Sequence, residues 1–160
     1  MTDIRVGIGY DAHALEEGLP LVLGGVTIDY PRGLAGHSDG DVIAHALIDA
    51  LLGAANLGDI GSLFPSGDEQ YRGASSLDLL WEAYRDVRES GWELVNADCV
   101  LVAEEPRIGD VREEMCERLA GALGVARGCV TVRATTTDGL GFTGREEGLA
   151  AHAVALLTRV

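Results

Sequence analysis

The chain has 160 residues, a net charge of −14 and 47% hydrophobic residues. That size and composition fit one globular domain, 1–160, which buries about 70% of its unfolded surface and needs no disulfides to fold. All twelve basic residues are arginine, so the basic patch that nucleic acid requires is missing. No apolar run approaches the roughly 20 residues that span a bilayer.

The first residues, Met1 to Arg5, lack the charged-then-apolar pattern of a signal peptide. Cys99, Cys116 and Cys129 form an odd set without C-x-x-C spacing, as expected of free thiols in a reducing cytoplasm. Residues 4–10 and 20–30 read as extended, punctuated by Gly24-Gly25 and Pro31-Arg32-Gly33. A helix is predicted from the cap-like Asp39-Gly40-Asp41 to about Ala55, with Ile43, Leu47, Ala50 and Ala54 as its main apolar stripe. Asp41, His45 and Asp49 form a second, polar stripe at i, i+4, yet Ile48 and Leu52 lie beside it. A helix apolar on nearly all sides tends to be buried on all sides, which in so small a domain points to a subunit interface or to cover by a large loop of the same chain. Loop signals fill Gly58 to Gly73, and a second helix begins near Ser75-Ser76 with Leu77, Leu80, Tyr84 and Val87 at helical spacing. Residues 93–104 read as a strand, residues 108–123 as a third helix, and Cys129 to Ala134 as a strand. Gly148 to Val160 fits helix or strand equally. The mixture predicts an α+β fold: a mixed β-sheet with helices packed on one face.

Four histidines are present. In Asp11-Ala12-His13, on extended chain, the i and i+2 side chains point the same way, as two ligands of one metal must. His45 would supply a third ligand from the helix, and an Asp-His-His set with an open position suits catalytic zinc; a chance D-x-H is the plainer reading of these residues alone. Asp41 and Asp49 are placed to receive the second ring N–H of His45; a solvated face is the plainer reading of both. His152, in an apolar segment, reads as a core or interface histidine. His37-Ser38-Asp39-Gly40-Asp41 opens a helix and serves either as an anion site or as an ordinary N-cap. Thr135-Thr136-Thr137-Asp138 ends a strand, as a plain strand edge or as a clasp for a metal-bridged diphosphate.

Taken together, Gly7-Ile8-Gly9-Tyr10-Asp11-Ala12-His13, His37 to Asp41, Gly58 to Gly61, Leu63-Phe64-Pro65, Ala134 to Thr137 and Gly141-Phe142-Thr143-Gly144-Arg145 strongly resemble the 2-C-methyl-D-erythritol 2,4-cyclodiphosphate synthase family. The resemblance implies a homotrimer whose sheets face the centre and whose active sites lie between subunits. It implies a zinc site of Asp11, His13 and His45, with Ala12 beside the substrate. His37 and Thr136 are then the catalytic stabilisers of the reacting phosphates, with Ser38 in contact. Asp59, Ile60 and Gly61, with the loop Phe64-Pro65-Ser66-Gly67-Asp68, would hold the erythritol. Ala103-Glu104-Glu105-Pro106-Arg107-Ile108-Gly109 would form a cytosine pocket, and Thr135, Thr136, Thr137 and Asp138 would grip the nucleotide diphosphate. Phe142 and Arg145 would lie near the trimer centre. Asp138 would hold a second ion, Mg²⁺ or Mn²⁺, where the family commonly has glutamate; Gly139 and Ser66 replace a common lysine and aspartate.

The resemblance further implies cyclisation of a cytidine-diphosphate-linked substrate with release of CMP. The same residues also suit a metal-dependent phosphohydrolase or a non-enzymatic binding module. An acidic, lysine-free chain can hold three phosphates if two divalent ions neutralise them.

Overall fold

The computed structural model describes residues 3–160. Its first strand, β1 (Ile4–Glu17), runs well past the extended segment expected at residues 4–10. A two-residue turn at Gly24-Gly25, both at positive φ, joins β2 (Leu21–Leu23) to β3 (Val26–Ile28). β4 (Arg32–Leu34) follows directly, so Pro31-Arg32-Gly33 leads into a strand rather than merely ending one. The first predicted helix is present as α1 (Val42–Ala54). The predicted loop from Gly58 to Gly73 contains the short helix α2 (Ile60–Leu63) and a 3-10 turn at Glu69–Tyr71. These are followed by α3 (Ser76–Glu89), β5 (Trp92–Val102), α4 (Arg112–Leu123), β6 (Val130–Thr135), α5 (Gly141–Gly144) and β7 (Gly148–Arg159). The third helix starts later than residue 108, because Pro106 to Asp110 stay in a loop and Ile108–Val111 forms only a turn.

Gly148 to Val160, ambiguous by pattern, is a strand because it has partners on both sides. β7 pairs antiparallel with β1 and with β5, and the sheet order is β4-β1-β7-β5-β6. The β5–β6 pair is parallel, so β1, β5 and β6 run the same way. α1, α3 and α4 pack on one face, as expected.

α1 is buried on every side by its own chain. Ile43, Leu47, Ile48 and Leu51 are fully buried, as are Ala46 and Ala50. Its apolar surround, which pointed to a subunit interface, is covered instead by β1, β7, β5 and α3. Each fully buried leucine or isoleucine contributes about 2 kcal/mol. The close approach of α1 to β1 rests on glycine. A Cβ on Gly9 would lie 1.8 Å from the Ala46 carbonyl oxygen, and one on Gly7 2.0 Å from that of Ala50. Backbone therefore packs on backbone, which brings His45 beside the middle of β1.

Asp41 sets the start of α1. Its fully buried carboxylate accepts the N–H groups of Ile43 and Ala44 (both 3.1 Å) and those of Gly24 (2.9 Å) and Gly25 (2.8 Å). Burial pushes this carboxyl up to about 6, against the pull of those backbone donors. One side chain thus caps the helix and ties the β2–β3 turn to it. Asp41→Ala orphans these buried donors and is expected to cost about 3 kcal/mol, or about 9 °C in Tm, measured by thermal denaturation.

Candidate active site

Asp11 and His13 leave β1 on the same side, as the strand period requires, and meet His45 rising from α1. Asp11 Oδ2 lies 2.8 Å from His13 Nε2 and 3.1 Å from His45 Nδ1. The two imidazole nitrogens are 3.3 Å apart. Ligand atoms about 2.0–2.1 Å from a tetrahedral zinc lie roughly 3.3 Å from one another, so this cluster already has the spacing of a three-residue metal site. The donor set, one carboxylate and two imidazoles, fits zinc, and all three residues line one cleft. Burial alone would raise the Asp11 carboxyl, but hydrogen bonds from His13 and His45 and their charge hold it down at about 2. Burial opposes the charged form of His45, yet Asp11, and more weakly Asp41 and Asp39, raise its pKa.

The outer partners of His45 differ from the expected ones. Asp41 is occupied by backbone N–H groups, and Asp49 accepts the Ile60 N–H at 2.7 Å. The Nε2 of His45 faces Ser76 Oγ at 2.8 Å and Ser38 Oγ at 2.9 Å. Ser76 has no local signature, because its partners Asp39 and His45 lie 37 and 31 residues away. Asp49 instead anchors α2 and the Asp59-Ile60-Gly61 segment to α1. The start of α1 is an internally capped terminus, not an anion site, since Asp41 takes its N–H groups. His37 donates Nε2–H to the Asp68 carbonyl at 2.9 Å, leaving Nδ1 free toward a ligand.

A cleft of about 410 Å³ gathers Asp11, His13, His37, Ser38, His45, Ile60, Gly61, Phe64, Pro65, Ser66 and Gly67, with Tyr71 and Leu79 as unanticipated walls. Asp59 and Asp68 stay outside its lining. Asp59 caps α2, and Asp68 caps the following 3-10 turn.

A second cleft, about 360 Å³, is lined by Ala103, Glu104, Pro106, Arg107, Ile108, Gly109, Thr135 and Thr136, joined by Arg112 and Ala134. Glu105 does not line it. Glu104 accepts the N–H groups of Thr137 and Gly139, each at 3.1 Å, so its carboxylate shapes the 135–139 turn. Asp138 is exposed at φ +53° and accepts the Thr136 hydroxyl at 3.2 Å. Ala12, Ala150, Val102 and Thr135 are successive partners across the sheet. Thr135 is thus level with Ala12 but three strand spacings away, roughly 14 Å. Within one chain the two clefts share no residue.

Phe142 lies against Ala12, His13 and Ala14 in a smaller recess. Arg145 lines neither cleft and pairs with Glu147 at 2.9 Å. His152 is exposed and packs on Tyr10 with ring centroids 4.9 Å apart, which excludes a core role. Around it Val6 (69% exposed), Ile8 (71%) and Tyr10 (50%) make an apolar outer face on the sheet, with Val154 opposite Ile8. Among the described residues, no helix is long and apolar enough to cross a membrane.

The sequence profile of the YgbB family matches residues 4–158. The 2-C-methyl-D-erythritol 2,4-cyclodiphosphate synthase of Moorella thermoacetica is 59% identical over 96% of this chain and 94% of its own length. A solved 2C-methyl-D-erythritol-2,4-cyclodiphosphate synthase in a CDP-bound form superposes with a TM-score of 0.87 at 41% identity, covering 96% of this chain and 99% of that one. The bifunctional IspDF of Campylobacter jejuni superposes with a TM-score of 0.96 at 44% identity over 100% of this chain, which spans 43% of that longer protein.

Proposed function

The chain belongs to the YgbB family, and on that premise we propose how its two clefts carry out the reaction of its synthase relatives. The enzyme converts 4-diphosphocytidyl-2-C-methyl-D-erythritol 2-phosphate to 2-C-methyl-D-erythritol 2,4-cyclodiphosphate and CMP. It is a phosphorus–oxygen lyase of non-mevalonate isoprenoid biosynthesis. An oxygen of the 2-phosphate bonds to the β-phosphorus, and the bond from that phosphorus to the bridging oxygen breaks. CMP departs with the electron pair. The nucleophile is already ionised, so no general base is needed; positioning and charge neutralisation do the rest.

The observation that carries this reading is the Asp11–His13–His45 cluster at the wall of the first cleft. These residues would hold Zn²⁺, and Asp138 would hold Mg²⁺ or Mn²⁺ on the diphosphate; the bound ions supply Lewis-acid charge between like-charged phosphates. His37, fixed by the Asp68 carbonyl, turns its Nδ1 edge to a reacting phosphate, beside Ser38. Thr136 meets the developing charge from the second cleft. Ile60, Gly61 and the 64–67 loop seat the erythritol, and the 103–109 segment seats the cytosine.

The clefts lie apart within one chain, so the first cleft of one subunit faces the second cleft of its neighbour in a homotrimer. The apolar outer face of β1 and β7 supports this arrangement, since a patch of this kind marks an interface. Residues 1–160 act as one such domain, in the cytoplasm, on a small-molecule substrate. Incubation with the cytidylylated substrate and Mg²⁺, followed by mass spectrometry, tests the reading. Cyclic diphosphate plus CMP is expected; a linear phosphate product would mean hydrolysis.

Asp138→Asn tests the second ion. Asparagine tolerates the left-handed backbone at this position as aspartate does, so the turn survives while the charge is lost. Turnover is expected to fall about tenfold to a hundredfold at limiting Mg²⁺, with zinc stoichiometry unchanged. Wild-type turnover at limiting Mg²⁺ would contradict the assignment.

A further inference from the structure

We infer that Ser76 and Asp39 are positioning residues of the metal triad: the Asp39–Ser76–His45 hydrogen-bond chain holds the Nε2–H edge of the His45 ring and so presents Nδ1 to Asp11 and His13. The inference rests on the metal-site reading above.

The direction of each bond follows from fixed donors. Asp39 accepts two backbone N–H groups, Ser76 N–H at Oδ2 (2.9 Å) and Asp41 N–H at Oδ1 (3.1 Å). Both carboxylate oxygens are therefore acceptors, and the Ser76 hydroxyl donates its proton to Oδ1. A hydroxyl has one proton, so only lone pairs of Ser76 Oγ remain for its other neighbours. The nearer of these is His45 Nε2, 2.8 Å away, ahead of Ser38 Oγ at 3.4 Å. A bare Nε2 would set two lone pairs against each other at hydrogen-bond distance, so Nε2 carries the proton and donates. Nε2–H is thereby committed to Ser76, and Nδ1 is the nitrogen left to take an ion. It is this nitrogen that lies 3.1 Å from Asp11 Oδ2 and 3.3 Å from His13 Nε2.

Ser38 Oγ also approaches Nε2, at 2.9 Å. Its proton is not committed to a carboxylate, and it borders the cleft, so it remains free to turn toward a phosphate. Ser76 has neither freedom. It is fully buried as the first residue of α3, and water cannot replace its hydroxyl. The chain joins the loop before α1, α1 itself and α3, so the ring angle of His45 depends on how these elements pack. Such outer partners orient a ligating histidine and raise its affinity for metal.

Zinc competition against a chromophoric chelator tests this on Ser76→Ala, Asp39→Asn and Ser76→Thr. Ser76→Ala is expected to weaken zinc binding about tenfold to a hundredfold, while Ser76→Thr keeps the hydroxyl and restores most of it. Asp39→Asn is the second variant. An amide offers one oxygen where the carboxylate accepts Ser76 N–H at Oδ2 and both Asp41 N–H and the Ser76 hydroxyl at Oδ1, so either flip sets the NH₂ against a backbone N–H. The hold on the Ser76 hydroxyl is loosened, and with it the acceptor that fixes His45 Nε2–H. Asp39→Asn should therefore also weaken zinc binding, although it is a close isostere of aspartate. A merely structural role predicts a lowered Tm with unchanged zinc affinity. In the zinc-loaded wild type, the His45 Nε2–H should give a slowly exchanging downfield proton resonance, absent from Ser76→Ala. Melting of the metal-free proteins separates lost folding from lost affinity. Wild-type zinc affinity in both Ser76→Ala and Asp39→Asn would overturn the relay. A wild-type protein that binds no zinc would overturn the metal site itself.

Discussion

His45→Ala will be isolated without zinc and will lose cyclisation by more than about a hundredfold, while its melting transition remains cooperative. Only one ligand is removed, but Asp11 and His13 cannot close a tetrahedral site alone. Asp11 also loses one of the two imidazoles that hold its carboxyl at about 2. The fold survives because α1 is anchored by Ile43, Leu47, Ile48 and Leu51, all fully buried, and not by the histidine. His152→Ala is the matched control. It lies on the far face of the sheet against Tyr10 and should keep full zinc. Zinc content by atomic absorption and turnover on one preparation decide the matter, and normal occupancy in His45→Ala would refute the triad.

Gly9→Ala is expected to be as damaging by a different route. The added methyl would sit 1.8 Å from the Ala46 carbonyl oxygen and 2.9 Å from the Ala50 nitrogen. These neighbours are helix backbone and cannot rotate away. β1 and α1 must separate, which costs more than about 3 kcal/mol and lowers Tm by about 10 °C. The same separation moves His45 from Asp11 and His13, so zinc affinity falls as well, although no ligand has changed. Ile8→Ala, whose side chain points to the opposite, exposed face, should leave the metal spacing intact. Calorimetry together with zinc titration on both variants tests this, and a Gly9→Ala protein with wild-type Tm would contradict the packing argument.

The elements that were legible in the sequence are those with local causes. α1 was marked by Asp41 and by the Ile43–Leu47–Ala50 spacing, and α3 by its apolar positions after Ser75-Ser76. β7 was not legible, because its pattern suits two structures and its state is decided by β1 and β5 on either side. The Asp11–His13–His45 cluster could be read because two of its members obey the strand period and the third stands alone on a helix. Ser76 could not, since its two partners reach it across more than 30 residues. The helical wheel identified Ile48 and Leu52 as buried but carried no information on what covers them. The chain covers them itself. The surface that does look like an interface was present in the alternation of Val6, Ile8 and Tyr10 with Gly7 and Gly9. Glycine on the inner side hid the pattern, since it registers as neither apolar nor polar.

In the proposed trimer, each active site is assembled from the first cleft of one subunit and the second cleft of its neighbour. Mixing two inactive proteins tests it most directly: His45→Ala, damaged in the first cleft, and Thr136→Ala with Asp138→Ala, damaged in the second. After co-refolding at equal amounts, three-quarters of cyclic trimers are mixed, and each mixed trimer holds one intact site of three. Cyclisation should therefore return to about one quarter of the wild-type rate. No recovery, with mixed trimers verified by native mass spectrometry, would mean that each chain carries its own complete site.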